Sequence, residues 1–571
     1  MINQHWGRTG AAGTWPHPKP VYSIAALLVA LLAAGASAAY RYAEIWTPLQ
    51  RLYLAPYLRT ALMARIALTS SSRHAELHAL QAHWIYDDAS LTELLMPSVW
   101  GGLVMLCAGL LIAVPKDIAR SRERRQGRRL KGPELVTTAE FNRRDRADGI
   151  AFLQQSRAWG RAPWVRVPRR VESSHFLIIG DSGTGKSALI RQILLQLENR
   201  GETAIVYDPA LEYTPQFYSP ERGDLILNPL DERCPYWSPG DEWRHEAEAL
   251  SLATSLFPDR HHDNHFFTEG PRRIFAHLLT LRPSPAELAA WLCHEGEIDK
   301  RVAGTPYAVM IDRQAPPQRS GMLASLNMIA DTIKLLPAER DTNRRWSAYE
   351  WSKTRAGWLF LTSTPETRPR LVPLTSLWLD TLVLRLMNQG WPSQRPTWFI
   401  LDELASLQRL PQLHTAITEN RKSNSPVVLG FQGRSQLETR YGRDAEAILS
   451  QPATKIFLRT SEPHAASWIA DTIGEVEIER LRESRSLGRW GHHSYGLERH
   501  VEPLVMPSEI TGLGPLRGFL KLGNLVVRMS VPFIEVPQKA AAFIERSHQP
   551  LRPQRTPAAP DRGAPQDLLF R

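Results

Sequence analysis

Cysteine is scarce in this chain: there are three in 571 residues, Cys107, Cys234 and Cys293, and no C-x-x-C pair. A disulfide framework, a zinc ribbon and a redox dithiol are therefore excluded. No helix-turn-helix, zinc-finger or homeodomain pattern occurs, so no element is set up to read base edges. Hydrophobic residues at 43% and charged residues at 22% exclude wholesale disorder and fibrous repeats. The length allows two to four domains with a large core.

Net charge is also missing where it first seems abundant. The formal excess is +11, from 69 Lys and Arg against 58 Asp and Glu. Residues 1–20 carry +2, residues 41–93 carry zero, Lys116 to Lys131 carry +6, and the tail from Arg546 carries +3. Residues 132–545 are thus left with no net charge. The excess reads as a topology signal and a contact with anionic lipid head groups. A nucleic-acid partner would have to be held by the arrangement of arginines in a neutral body.

What is present begins with two apolar runs. Val21 to Tyr40 is 20 residues without a charge, and Leu94 to Pro115 is 22 more. Each is long enough to cross a hydrocarbon core of roughly 30 Å as a helix. Arg8 and Lys19 precede the first, and KDIARSRERRQGRRLK (116–131) follows the second. Positive residues at both outer ends place the two termini in the cytoplasm and the loop 41–93 outside. Ala36-Ser37-Ala38 also resembles a signal-peptide cleavage pattern, and a buried core helix is the other alternative for either run. Pro97 and the Gly101-Gly102 pair weaken a soluble helix but are tolerated in a membrane one.

The strongest motif follows a hydrophobic strand. Residues 175–179 (HFLII) run into Gly180, Asp181, Ser182, Gly183, Thr184, Gly185, Lys186 and Ser187, and then into ALIRQILLQLENR with apolar residues at helical spacing. Strand, glycine-rich loop and helix are the context of a phosphate-binding loop. Its glycines let backbone N–H groups turn inward around a phosphate at the positive end of a helix. Lys186 can reach the β- and γ-phosphates of ATP, and the Ser187 hydroxyl can ligate Mg²⁺.

Such a loop needs acids to complete it, and two hydrophobic strands end in them. TAIVY (203–207) ends at Asp208, and TWFIL (397–401) ends at Asp402-Glu403. The second is the better fit, with Asp402 for the metal shell and Glu403 placed to polarise the attacking water. A helix cap is the plainer alternative for Asp402. Asp208-Pro209 reads as a structural turn near the site. A further strand at 427–430 ends in Phe431-Gln432, whose amide could read the γ-phosphate or orient water. Alternating strands and helices predict a mostly parallel sheet covered on both faces. From Lys186 to Asp402 the chain is longer than such a sheet needs, and residues 241–349 read as an inserted all-helical subdomain.

With these elements in this order, the chain resembles the coupling proteins of type IV secretion and conjugation, and more closely their TraD-like branch. The residues that carry the resemblance are Tyr207-Asp208-Pro209 with Glu212, Leu227-Asn228-Pro229-Leu230-Asp231 with Arg233 and Trp237, and Ser255-Leu256-Phe257-Pro258 ahead of Phe266-Phe267-Thr268-Glu269-Gly270. Downstream come Leu401-Asp402-Glu403, then Gln432, Gln436, Tyr441 and Gly442. The match covers residues 170–270 and 355–460 well, and the membrane region in layout only.

The resemblance implies an α/β, RecA-like P-loop ATPase of the bacterial inner membrane, assembled as a homohexamer. Residues 1–131 would form the transmembrane region, 132–240 with 350–545 the nucleotide-binding domain, 241–349 the helical insertion and 546–571 a disordered, Pro-rich tail. Such an enzyme receives a relaxase–DNA complex with its relaxosome proteins and passes single-stranded DNA to the secretion channel using ATP and Mg²⁺. Its contacts with single- or double-stranded DNA would be independent of sequence. Lys186 and Ser187 would hold phosphate and Mg²⁺, Asp402 the metal shell, Glu403 the water, and Gln432 the γ-phosphate. Arg421 matches the family's arginine finger, which reaches a neighbour's site, and Arg459 competes for that role. The short basic tail departs from relatives whose long acidic extension docks an accessory protein.

Other features carry less. His261-His262-Asp263-Asn264-His265 and Gly491-His492-His493 lack metal-ligand spacing and read as polar loops. Trp159, Trp164 and Trp490 lie beside arginines, as base-stacking residues can, though packing explains them equally. An ATP-regulated docking receptor for protein substrates, or an FtsK-like chromosome translocase, are the competing functions. The second should carry more spans and a C-terminal winged helix. No LSGGQ-like signature lies between Lys186 and Asp402, which disfavours an ABC-type transporter.

Overall fold

The computed structural model describes residues 20–66, 91–126, 128–145, 148–155, 164–258, 265–388, 396–419, 424–485 and 493–547. The chain divides into two compact units, Met1–Lys131 with Glu477–Glu502, and Gly132–Val476 with Pro503–Arg571. Its strands are β1 Arg128–Lys131, β2 Glu134–Val136, β3 Ala151–Leu153, β4 Trp164–Arg166, β5 Phe176–Ile179, β6 Thr203–Asp208, β7 Leu225–Leu227 and β8 Leu359–Thr362. They continue as β9 Thr397–Leu401, β10 Val427–Phe431, β11 Thr454–Leu458, β12 Glu475–Arg485, β13 His493–Pro503, β14 Arg517–Leu522 and β15 Leu525–Ser530.

In the first unit, both expected apolar runs are helical and longer than the runs themselves: Val21–Glu44 and Leu91–Gln126. Both are long and apolar enough to cross a membrane, with mean hydropathy 2.1 and 2.0 in their apolar windows. The second passes through Pro97 and Pro115 without ending. The two pack antiparallel through small residues. A Cβ at Gly102 would stand 2.8 Å from the Ala34 Cβ, and one at Gly109 3.0 Å from that of Ala26. Backbones can approach that closely only where side chains are this small. The first helix has no cap of its own, and Asp117 supplies one: its carboxylate accepts from Tyr22 N, Ser23 N and Ser23 Oγ. Leu32 and Leu111 stay 73% and 79% exposed on the outer faces. A separate sheet in this unit has the order β1-β12-β13.

The second unit is built on a ten-stranded sheet ordered β2-β15-β14-β11-β5-β10-β9-β6-β8-β7. Only β14 runs antiparallel to its neighbours, so the sheet is mostly parallel, as the strand–helix alternation predicts. Its central strands are buried on both faces, which their unbroken Ile, Leu, Val and Phe require. Leu177 and Ile179 of β5 join one core with Tyr207, Leu401 and Leu429. Phe176 and Ile178 join the opposite core with Leu189, Ile193 and Leu197 of the helix Lys186–Arg200.

Between β7 and β8 every described regular element is helical, from Glu246–Leu256 through His265–Thr280 and Pro316–Ile333 to Ala348–Thr354. Their apolar stripes extend the first core through Leu252, Phe275, Leu279, Leu326 and Trp351. Glu242 closes the ends of this excursion together. It is fully buried, and its carboxylate accepts from Trp237 Nε1, Ala348 N and Tyr349 N at 2.7, 2.7 and 3.2 Å. The LNPLD stretch is a second anchor. Arg233 pairs in bidentate fashion with the buried Asp231, and Arg546 donates to Asp231 O and Cys234 O. Arg546 is therefore part of the folded body, although the sequence reading began the tail there. Residues 548–571 lie outside the described ones.

His175, just before β5, is buried with φ at +66°. Its Nδ1 accepts from Val427 N at 3.1 Å, which requires the neutral ring. Burial pushes the imidazole down to about 4 from an ordinary 6.5. Because the unfolded chain takes up this proton first, stability is full above pH 6.5 and is lost as pH falls towards 4, by about 3 kcal/mol. Thermal melts of the detergent-solubilised chain between pH 7 and 4.5 should show this loss. His175→Asn, which tolerates positive φ and keeps an acceptor, should flatten it.

Candidate functional site

Strand register brings the site together. β10 lies between β5 and β9, with Phe431 opposite Ile179 and Leu429 opposite Leu401. All three strands run the same way, so Gly180, Asp402-Glu403 and Gln432 emerge along one carboxyl edge, where open α/β sheets bind ligands.

The loop after β5 has the backbone that its glycines predict. Gly183 and Gly185 have φ of +72° and +116°, and the helix begins directly at Lys186. A Cβ at Gly180 would fall 2.7 Å from the Leu458 Cβ, and one at Gly185 2.7 Å from Leu516 Cδ2. Neighbouring segments hold the loop in place. Asp181 N donates to Arg459 O, Asp181 Oδ2 accepts from Ser461 N, and Thr184 O accepts from Leu516 N. Lys186 is buried, and its Nζ donates to Gly180 O and Asp181 O at 2.6 and 3.1 Å. Desolvation lowers its pKa, against the opposing field of Asp402, Glu403, Asp181 and Glu212.

Asp402 does not act as the helix cap that its position allows. Its Oδ2 accepts from the Tyr213 hydroxyl at 2.6 Å. Burial pushes the carboxyl up to about 6, opposed by the Tyr213 hydrogen bond and by Lys186. A side chain at position 430 would crowd it, since a Cβ on Gly430 would stand 3.0 Å from Asp402 Oδ1. Glu403 is in the left-handed region at φ +63°, unusual for a residue with a side chain. Ser406 holds it there, donating from N and Oγ to Glu403 O while its Oγ meets the Tyr207 hydroxyl at 2.7 Å. Gln432 Nε2 donates to Glu403 Oε2 at 2.6 Å.

Lys186, Asp402, Glu403 and Gln432 are thus assembled at one edge. Asp208 lies close by as a structural residue: fully buried, it accepts from Glu212 N, Tyr213 N, Thr214 N and Thr214 Oγ1. Sequence reasoning missed Tyr213, whose hydroxyl donates to Asp402. The one local signal is its place five residues beyond a strand-terminal Asp. Arg459 is half-buried beside the loop, and among the described residues its guanidinium has no partner. Arg421 lies outside the described residues, as do Trp159, Trp490, His492 and the cluster at 261–264. Trp164 is 38% exposed at a strand edge. Among the described residues, no group of three His, Cys, Asp or Glu could hold a metal by itself.

Residues 161–532, well over half of the chain, match the family model of the type IV secretion-system coupling protein DNA-binding domain. The chain belongs to this family. It is 29% identical over 401 residues to coupling protein TraD of Escherichia coli (strain K12), which covers 67% of this chain and 56% of TraD. It is 30% identical over 135 residues to conjugal transfer protein TraG of Rhizobium radiobacter, covering 23% of this chain and 21% of TraG. The chain thus spans little more than half of TraD and about a fifth of TraG. Among solved structures, the unbound bacterial conjugative coupling protein TrwBdeltaN70 superposes with a TM-score of 0.65 at 26% identity, covering 74% of this chain and 97% of that one. TrwB in complex with ADP and Mg²⁺ gives 0.64 at 25% identity, covering 73% and 98%. The family resemblance and the RecA-type architecture that it implied both stand.

Gly185→Ala should separate loop geometry from the rest of the fold. Its φ costs any L side chain on the order of 1–3 kcal/mol, and Leu516 must also shift. Melting should fall by a few degrees, while binding of a fluorescent ADP analogue should fall at least tenfold.

Proposed function

We propose that this chain is the membrane-anchored coupling ATPase of a conjugative type IV secretion system. It would receive a relaxase–DNA complex and translocate single-stranded DNA at the expense of ATP. One observation carries the reading: Lys186, Ser187, Asp402, Glu403 and Gln432 converge at the carboxyl edge of β5, β9 and β10. Membership of the coupling-protein family and similarity to nucleotide-bound TrwB support it.

The residues present fit a nucleotide with Mg²⁺. Loop N–H groups and the Lys186 ammonium would take phosphate oxygens, and the Ser187 hydroxyl with the Asp402 carboxylate would hold the ion. Bound Mg²⁺ would neutralise charge on the phosphates. Glu403, oriented by Gln432, would accept a proton from water, and Gln432 would register the γ-phosphate. A finger from a neighbouring subunit, Arg421 or Arg459, would complete charge neutralisation only in a ring, here a homohexamer. The two apolar helices would span the inner membrane, with both termini and the ATPase body in the cytoplasm and the loop 41–93 outside.

Purified full-length protein should hydrolyse ATP faster with single-stranded DNA present. Lys186→Ala and Glu403→Gln should each lower turnover by about 10² or more while remaining in the membrane fraction. Turnover indifferent to DNA, with capture of secreted proteins intact, would instead favour a docking receptor. For topology, alkaline phosphatase fused after Ile66 should be active and the same fusion after Lys131 inactive. The reverse pattern would overturn the orientation.

A further inference from the structure

Tyr213 has no exposed surface, and its hydroxyl meets a carboxylate 189 residues away in the chain, that of Asp402. The proton directions there are fixed by chemistry. An ionised carboxylate only accepts, so the Tyr213 proton goes to Asp402 Oδ2, at 2.6 Å. The carboxylate whose Oδ2 is satisfied keeps Oδ1 available, and no hydrogen bond to Oδ1 is found among the described residues.

The ring cannot drift from this position. Asp208 gathers the N–H groups of Glu212, Tyr213 and Thr214 and the Thr214 hydroxyl at 2.7–3.0 Å, closing the turn that carries the tyrosine. The ring itself is packed in the core on the helix Lys186–Arg200 face of the sheet.

We propose that Tyr213 is a positioning residue for the divalent cation: it orients the Asp402 carboxylate so that its remaining oxygen offers lone pairs to Mg²⁺, with Asp208 fixing its place. This inference rests on the reading of the site as one for a nucleotide with Mg²⁺. Partners of metal ligands set ligand orientation, and losing one typically costs 10–100-fold in metal affinity.

The test measures binding of a fluorescent ADP analogue to the full-length protein, in MgCl₂ and in EDTA. Tyr213→Phe keeps the packed ring and removes the hydroxyl. It should leave affinity in EDTA within about twofold, lower the Mg²⁺-dependent gain by about tenfold, and raise the Mg²⁺ concentration needed for half-maximal binding by a similar factor. A merely structural tyrosine would lower both affinities together or neither, and either result overturns the proposal. Asp208→Asn, which retains a carbonyl acceptor for the turn, should lower the same gain, and it supplies the measurement if Tyr213→Phe does not fold. A wild-type chain that binds with no Mg²⁺-dependent gain would remove the reading of the site itself. A gain present in the wild type and kept in both variants would remove only the role of Tyr213.

Discussion

The parallel hydrogen-bond ladder joining β5, β10 and β9 is the constraint on which the site depends. Because Ile179 pairs with Phe431 and Leu401 with Leu429, the chain leaves the sheet three times at nearly one level. A slip of one residue would turn Leu177, Leu401 and Leu429 out of their shared core, so burial of both faces locks the register. The same register fixes the separation of the phosphate loop from Asp402, Glu403 and Gln432. At Gly180 and Gly430 this edge leaves little room for a Cβ.

Three carboxylates withdrawn from water, Glu242, Asp231 and Asp208, are each surrounded by several donors. Glu242 joins the two ends of the helical excursion, Asp231 joins the LNPLD turn to Arg233, and Asp208 closes the turn at 208–214. A buried carboxylate left without such partners would be strongly destabilising, so these residues fix geometry as much as they hold the fold together. Lys186 and Asp402 differ in kind. Burial presses both towards neutrality, and each is opposed by the other's field. Such a pair responds strongly to a polyanion or a cation placed beside it, as a nucleotide site requires.

Much was legible from short segments. The phosphate loop, the two apolar helices and the acids closing β6 and β9 are contiguous patterns whose chemistry acts over a few residues. The helical run from residue 246 onwards shows the spacing of Leu252 and Leu256 or of Leu326, Ile329 and Ile333 in the chain itself. Less visible were β1, β12 and β13, charged strands with no strict alternation, and the helix that continues through Pro115. Arg546 read as tail because its neighbours are Pro and polar residues, yet two carbonyls around residue 231 bury it.

The sequence by itself determined the class of chemistry: a loop for phosphate, a strand-terminal Asp-Glu pair, and apolar segments of membrane-crossing length. Backbone propensity and side-chain spacing suffice for these, since each is encoded within about 20 residues. Only the tertiary structure decided which distant groups meet. Tyr213 reaches Asp402 across 189 positions, Glu403 is held in a left-handed conformation by Ser406 and Tyr207, and Gln432 finds the Glu403 carboxylate. Those contacts depend on β9 and β10 inserting between β5 and β6, a strand order set by the packing of two cores and written in no local pattern.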